Sequence, residues 1–148
     1  EARGDVMVHG LWKKGESCIL DVRVTDTDAK SYRATSSAKV LEKAAREKKG
    51  KYESACLEQR RSFMPLIYSV DGMTGKDARA YEKRIAALLS QKWSRAYSTL
   101  AGWVKVRMSL AVVRSNTRLL RGSRRRHSWR PEMEDGVAAG MEGTHPEN

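Results

Sequence analysis

Two carboxylates set in apolar surroundings are the first residues in this chain whose types and spacing suit chemistry. In GDVMVHGLWKKGESCILDVRV, residues 4 to 24, Asp5 opens one short apolar run and Asp21 lies inside another. Taking a carboxylate out of water is costly without compensation. Both runs read as β-strands flanking Lys13-Lys14-Gly15, a hairpin. In an antiparallel hairpin turned about Lys13, the numbers of opposed positions sum to 26, so Asp5 faces Asp21. The same register sets Val6 against Leu20, Met7 against Ile19 and Val8 against Cys18, so the apolar residues support it independently. Opposed side chains have Cβ atoms about 4.5–5.5 Å apart, and like charges there destabilise the pair. Such a pair either shares a proton or binds a cation. A hard cation such as Mg2+ (or Mn2+) takes one or two carboxylates and completes its shell with water or substrate phosphate, which suits phosphodiester hydrolysis. The alternative is structural: Asp5 begins its strand in solvent and Asp21 pairs with Arg23, Lys48 or Lys51.

The elements that must position this pair follow from hydrophobic period. Residues 5–10 and 17–26 are β-rich, and from about Ser37 the period turns helical, with Val40, Leu41, Ala44, Ala45, Tyr52, Ala55, Cys56 and Leu57 on one broad side. Ser36 or Ser37 caps that helix and Gly50 marks a kink in it. FMPLIYSVDG, residues 63–72, reads as a third strand, with Pro65 near its start and Asp71-Gly72 as a turn. Lys76 to Trp93 and Ser98 to Leu120 read as two further helices. The first carries Tyr81, Ile85, Leu88, Leu89 and Trp93 on its apolar side, the second Trp103, Val106, Leu110 and Val113, and both tryptophans read as core. The expected fold is an α/β domain: a small mixed sheet, made of a hairpin plus a crossover strand, flanked by helices and followed by two C-terminal helices.

Composition limits the function. With 148 residues and 40% hydrophobic content, the chain has material for one folded domain, residues 1–121, followed by a basic segment, 122–130, and a disordered acidic tail, 131–148. All 29 Lys and Arg precede Pro131, against 13 Asp and Glu there, a net +16; the remaining five acids give the tail −5. A body so basic points to a polyanionic partner, DNA or the RNA of a parent element. No run is long and apolar enough for a membrane span and no signal peptide opens the chain, so an intracellular, nuclear location with no membrane is expected. Cys18 and Cys56 read as free buried thiols, not zinc ligands. A strand-like run beginning at Asp5, with Glu1 in first place, reads as part of a larger protein.

The order of these residues resembles a known family. Gly4-Asp5, fifteen residues, then ILDVRV, followed by a helix containing KKGKY (48–52) and a strand running into Asp71-Gly72, is similar to the restriction-endonuclease-like domain of site-specific non-LTR retrotransposons. That family belongs to the PD-(D/E)XK nucleases, and its domains normally follow a reverse transcriptase in one polyprotein. The resemblance spans about residues 4 to 121. It implies a partial restriction-endonuclease-like core and an endonuclease that nicks target DNA for retrotransposon integration. It also implies Asp5 and Asp21 as catalytic ligands of Mg2+ (or Mn2+). Arg23 stands where the motif has lysine. The family's alternative K-x-x-K-Y element is matched by Lys48, Lys51 and Tyr52, with Lys51 orienting the attacking water and Tyr52 supporting it. Arg23, Lys48, Arg121, Arg124, Arg125 and Arg126 are the expected nucleic-acid contacts. Two departures stand out: Gly4 replaces the usual Pro, and the helix and strand that precede this hairpin in the superfamily have no counterpart here.

Plainer roles are expected elsewhere. Lys49 reads as solvated helix face, His9 as exposed or structural, and Asp26 and Asp28 as turn caps. Two competing functions remain in view: a catalytically inactive, basic nucleic-acid-binding remnant of the nuclease fold, and a scaffold whose basic face takes an acidic protein.

Overall fold

The computed structural model describes residues 4–123. The strands are β1 (Val6–His9), β2 (Ser17–Thr25) and β3 (Arg61–Ser69), and the helices are α1 (Ser37–Glu58), α2 (Lys76–Trp93) and α3 (Tyr97–Ser123), with a 3-10 turn at Lys30–Tyr32. The sheet order is β1-β2-β3, mixed, with α1 as the crossover between parallel β2 and β3. The hairpin has the register read from the apolar residues: Val6 pairs with Leu20, Met7 with Ile19, Val8 with Cys18 and His9 with Ser17.

Strand alternation divides the core into two layers. Ile19, Phe63 and Ile67 face α1 and pack with Leu41, Ala44, Ala45 and Cys56. Cys18, Leu20, Leu66 and Tyr68 face α2 and α3 and pack with Ala78 and Val112. Leu11, from the hairpin loop, is 1% exposed in this second layer, and Arg84 of α2 donates to its carbonyl at 2.6 Å. The loop is therefore pinned to the helical layer, a tether the strand pattern does not signal. Both cysteines are buried free thiols, and burial pushes the Cys56 thiol above its usual range.

The sheet is stepped, because β2 has nine residues and β1 only four. Beyond Asp21, β2 has no β1 neighbour. The opposite edge, along β3, is partly closed by the following turn: Ser69 N–H donates to the Met73 carbonyl and Gly75 N–H to the Ile67 carbonyl, each at 2.9 Å. A Cβ on Gly75 would lie 2.9 Å from the Ile67 oxygen, so the close approach requires glycine. Pro65 sits on this edge strand, where a missing donor is tolerated.

Three local expectations change. Ser36 is the N-cap residue of α1 but its side chain makes no capping bond. Gly50 lies inside an unbroken 22-residue helix, exposed, with open space where a Cβ would go. Gly50→Ala is therefore expected to stabilise the protein by about 0.5–1 kcal/mol through the unfolded chain's lost freedom, read as a higher urea midpoint at unchanged slope. The third change concerns α3. Its buried residues are Leu100, Val104 and Val112, with Met108 partly buried, whereas Trp103, Val106, Leu110 and Val113 point outward. Trp93 and Trp103 are each 46% exposed and not core. Both arcs of α3 satisfy the helical period, and the sheet side has room for only one. Arg124, Arg125, Arg126 and the acidic tail lie outside the described residues.

Candidate active site

Asp21 lies on the central strand, and its odd position in β2 turns it toward α1, the side of Ile19. It is 6% exposed, opposite Pro65 in the parallel ladder. Its Oδ2 lies 2.7 Å from the Lys48 ammonium. The approach falls outside good hydrogen-bond angles, so the contact is an ion pair that leaves the Oδ2 lone pairs without an aligned donor. Lys48 reaches this position because it follows Leu41, Ala44 and Ala45 on the inner stripe of α1, one helical step before Tyr52.

Asp5 lies just before β1, exposed, one residue beyond the last ladder pair, Val6 with Leu20. Its N–H donates to the Leu20 carbonyl at 3.0 Å, and its Oδ2 accepts from the Val22 N–H at 2.7 Å. The carboxylate thus substitutes for a strand carbonyl at the step of the sheet, on the N–H of Val22, the residue that follows Asp21. Next to it, a Cβ on Gly4 would collide with Cγ2 of Ile19. A residue with a Cβ does not fit here unless Ile19 moves, which accounts for the glycine.

Of the other expected residues, Tyr52 lies on the same face of the sheet as Asp21. Tyr52 packs on Phe63, ring centroids 5.7 Å apart, with the Lys48 ammonium 5.5 Å and the Lys51 ammonium 5.1 Å from its ring. Lys51 is exposed, and it is Lys48 that meets the carboxylate. Arg23 pairs with Glu47 at 3.2 Å. Arg121 is exposed near the end of α3. Lys49 is partly exposed but not free: its ammonium lies 2.8 Å from Asp77, tying α1 to the first turn of α2. His9 Nδ1 lies 2.8 Å from Ser17 Oγ, its ladder partner, and Asp26 accepts from the Asp28 N–H at 3.0 Å in a turn.

Among the described residues no group of three or more His, Cys, Asp and Glu gathers to hold a metal. The donor set is two carboxylates, one buried and one exposed. It fits a hydrated Mg2+, which is commonly bound through one or two carboxylates, and does not fit a closed protein cage.

A second polar centre, absent from the sequence reading, lies on the opposite face of the sheet. Glu82 is 7% exposed on α2 between Ala78 and Ala86, and accepts from the Tyr68 hydroxyl at 3.2 Å. It lines a cleft of about 580 Å³ with Arg79, Lys83 and Lys105. Burial pushes its carboxyl above the usual range, against the opposing pull of the Tyr68 hydrogen bond and the Lys105 and Arg79 cations. A raised pKa means the folded protein holds this proton more tightly than the unfolded chain. Its contribution to stability is therefore full below the unfolded carboxylate range and lost as pH rises through the raised value. Glu82→Gln keeps an acceptor for Tyr68 and removes the titration. Its Tm minus that of the native protein is expected to climb as pH rises from about 4; parallel Tm curves above that pH would contradict the account. Lying on the other face, Glu82 cannot complete the Asp5 and Asp21 pair.

No family model matches this chain, and neither a curated protein nor a solved structure matches it. Among the described residues no helix is long and apolar enough to cross a membrane.

Proposed function

We propose that the chain is a metal-dependent DNA endonuclease domain that nicks target DNA for retrotransposon integration. The observation that carries this reading is Asp21, buried on the central strand with the Lys48 ammonium 2.7 Å away, and a second carboxylate, Asp5, held on the N–H of the next residue, Val22. Asp5 and Asp21 would hold the Mg2+ (or Mn2+), which when bound supplies charge neutralisation and an acidified water. Lys48 would leave Asp21 for a phosphate oxygen, with the Tyr52 ring beside both its ammonium and that of Lys51. The basic body keeps the polyanion in place.

A second reading, a catalytically inactive nucleic-acid-binding remnant, has its own support. Lys48 already compensates Asp21, the Val22 N–H engages Asp5, and no third acidic ligand stands near among the described residues.

A plasmid-nicking assay separates the two. Mg2+-dependent conversion of supercoiled to open-circular DNA is expected, lost by roughly a hundredfold or more in Asp5→Ala and Asp21→Ala, with circular dichroism confirming the fold. Undiminished nicking in a folded Asp21→Ala would sink the catalytic reading. Salt-sensitive binding without nicking, indifferent to Mg2+, is the outcome the remnant requires.

A further inference from the structure

The outward arc of α3 is a built surface with no counterpart in the nuclease reading and does not depend on it. Trp103, Val106, Leu110 and Val113 recur at steps of three, four and three, and are 46%, 57%, 46% and 41% exposed. This is the spacing by which one helix presents anchors to another. Contiguous exposed apolar side chains of this kind mark an interaction site more often than scattered ones.

The boundaries of the arc say what covers it. Along one flank run Arg107 and Arg114, seven residues apart and so on the same side; the Arg107 guanidinium sits 5.4 Å from the Trp103 ring. α3 contains no acidic residue over its 27 positions. The opposite flank is walled by the turn after β3, where Asn116 Nδ2 donates to the Val70 carbonyl at 2.9 Å and Val70 is itself 39% exposed. At its N-terminal end the arc opens into a cleft of about 500 Å³ walled by Trp93 and Trp103 and including Leu100. The two indoles meet edge to face, centroids 6.0 Å apart. That cleft is the size of a bulky apolar side chain with room around it.

We propose that this face of α3 docks an acidic amphipathic helix of a partner protein. The partner's apolar side chains lie along Trp103 to Val113, one large residue enters the Trp93–Trp103 cleft, and its Asp and Glu meet Arg107 and Arg114. A second copy of this chain is disfavoured, because pairing the same face would oppose arginine to arginine without an acid on either helix. Nucleic acid is disfavoured, because Val106, Leu110 and Val113 offer it no donor and no stacking plane.

The test uses the full chain and a fluorescein-labelled peptide of about 16 residues, capped at both ends to hold a helix, with leucines at the complementary spacing and glutamates on one flank. Binding on the order of micromolar Kd is expected by anisotropy, with quenching of tryptophan fluorescence. Leu110→Asp or Val106→Asp, both at exposed positions, should weaken it at least roughly tenfold with unchanged circular dichroism. The double variant Arg107→Glu, Arg114→Glu should lose the glutamate peptide and gain a lysine-flanked one. Failure of the peptide to bind, or binding indifferent to both apolar variants, overturns the proposal. So do self-association by sedimentation that Leu110→Asp abolishes, and displacement of the peptide by a DNA duplex whose own binding Leu110→Asp weakens.

Discussion

Lys48→Met should destabilise the protein by about 3–5 kcal/mol, because it removes the one cation that, among the described residues, pairs with a carboxylate that is 6% exposed. The converse change is milder. In Asp21→Asn the Lys48 ammonium, whose side chain is 24% exposed, can turn toward water, and the loss is expected to be about 1–3 kcal/mol. The double variant Asp21→Val, Lys48→Met puts a β-branched residue on the central strand opposite Pro65 and an unbranched apolar one beneath Tyr52. It should recover most of the loss, since a buried ion pair replaced by apolar groups of similar volume is close to neutral. Urea denaturation of the four proteins gives the cycle directly. Lys48→Met costing less than Asp21→Asn would mean that the pair is solvated and the site open in solution. The nicking assay and this cycle together separate a carboxylate kept for its chemistry from one kept for its partner.

Leu66→Ala and Leu41→Ala form the second large pair of effects, each expected at about 2–5 kcal/mol. The two side chains are both 2% exposed but lie on opposite faces of the sheet. Leu66 belongs with Leu11, Leu20, Tyr68, Ala78 and Val112, so its removal leaves a space bounded by strand, hairpin loop and both C-terminal helices. Several rigid elements must move to fill it, which puts Leu66→Ala at the upper end. Leu41 packs with Ala44, Ala45 and Ile67, and α1 alone can settle onto the strand, which puts Leu41→Ala at the lower end. Hydrogen exchange should show the division: amides of α1 lose protection in Leu41→Ala while α2 and α3 keep theirs. Uniform loss along the chain in both variants would mean that the two layers open as one unit.

The hairpin was legible because two independent signals agreed, the Lys13-centred turn and the pairing of Val6, Met7 and Val8 with Leu20, Ile19 and Cys18. In the sequence reading Lys48 is one of three possible partners of Asp21 and part of the K-x-x-K-Y element; the period that singles it out was there to be read. Counting from Leu41 in steps of three and four leads through Ala44 and Ala45 to Lys48 and Tyr52, whereas Lys51 falls to the flank. The motif gave weight to Lys51, and the helix turned Lys48 inward. α3 misled for the opposite reason: it is apolar over more than one arc, and period alone cannot tell an arc facing the sheet from one facing outward. Glu82 was hidden by its charge, since a glutamate between two alanines reads as exposed until Tyr68 supplies its hydrogen bond. Leu11 was hidden by its place in a loop, where an apolar residue carries no period.

The step between four-residue β1 and nine-residue β2 gives Asp5 a further consequence. An uncovered row of strand amides is a template on which another extended chain can crystallise into a growing ladder. The Asp5 carboxylate occupies the first amide past the step, that of Val22, and presents negative charge to any incoming strand. Colloidal behaviour and chemistry thus meet in one side chain, which serves as gatekeeper of the sheet's open margin as well as candidate ligand.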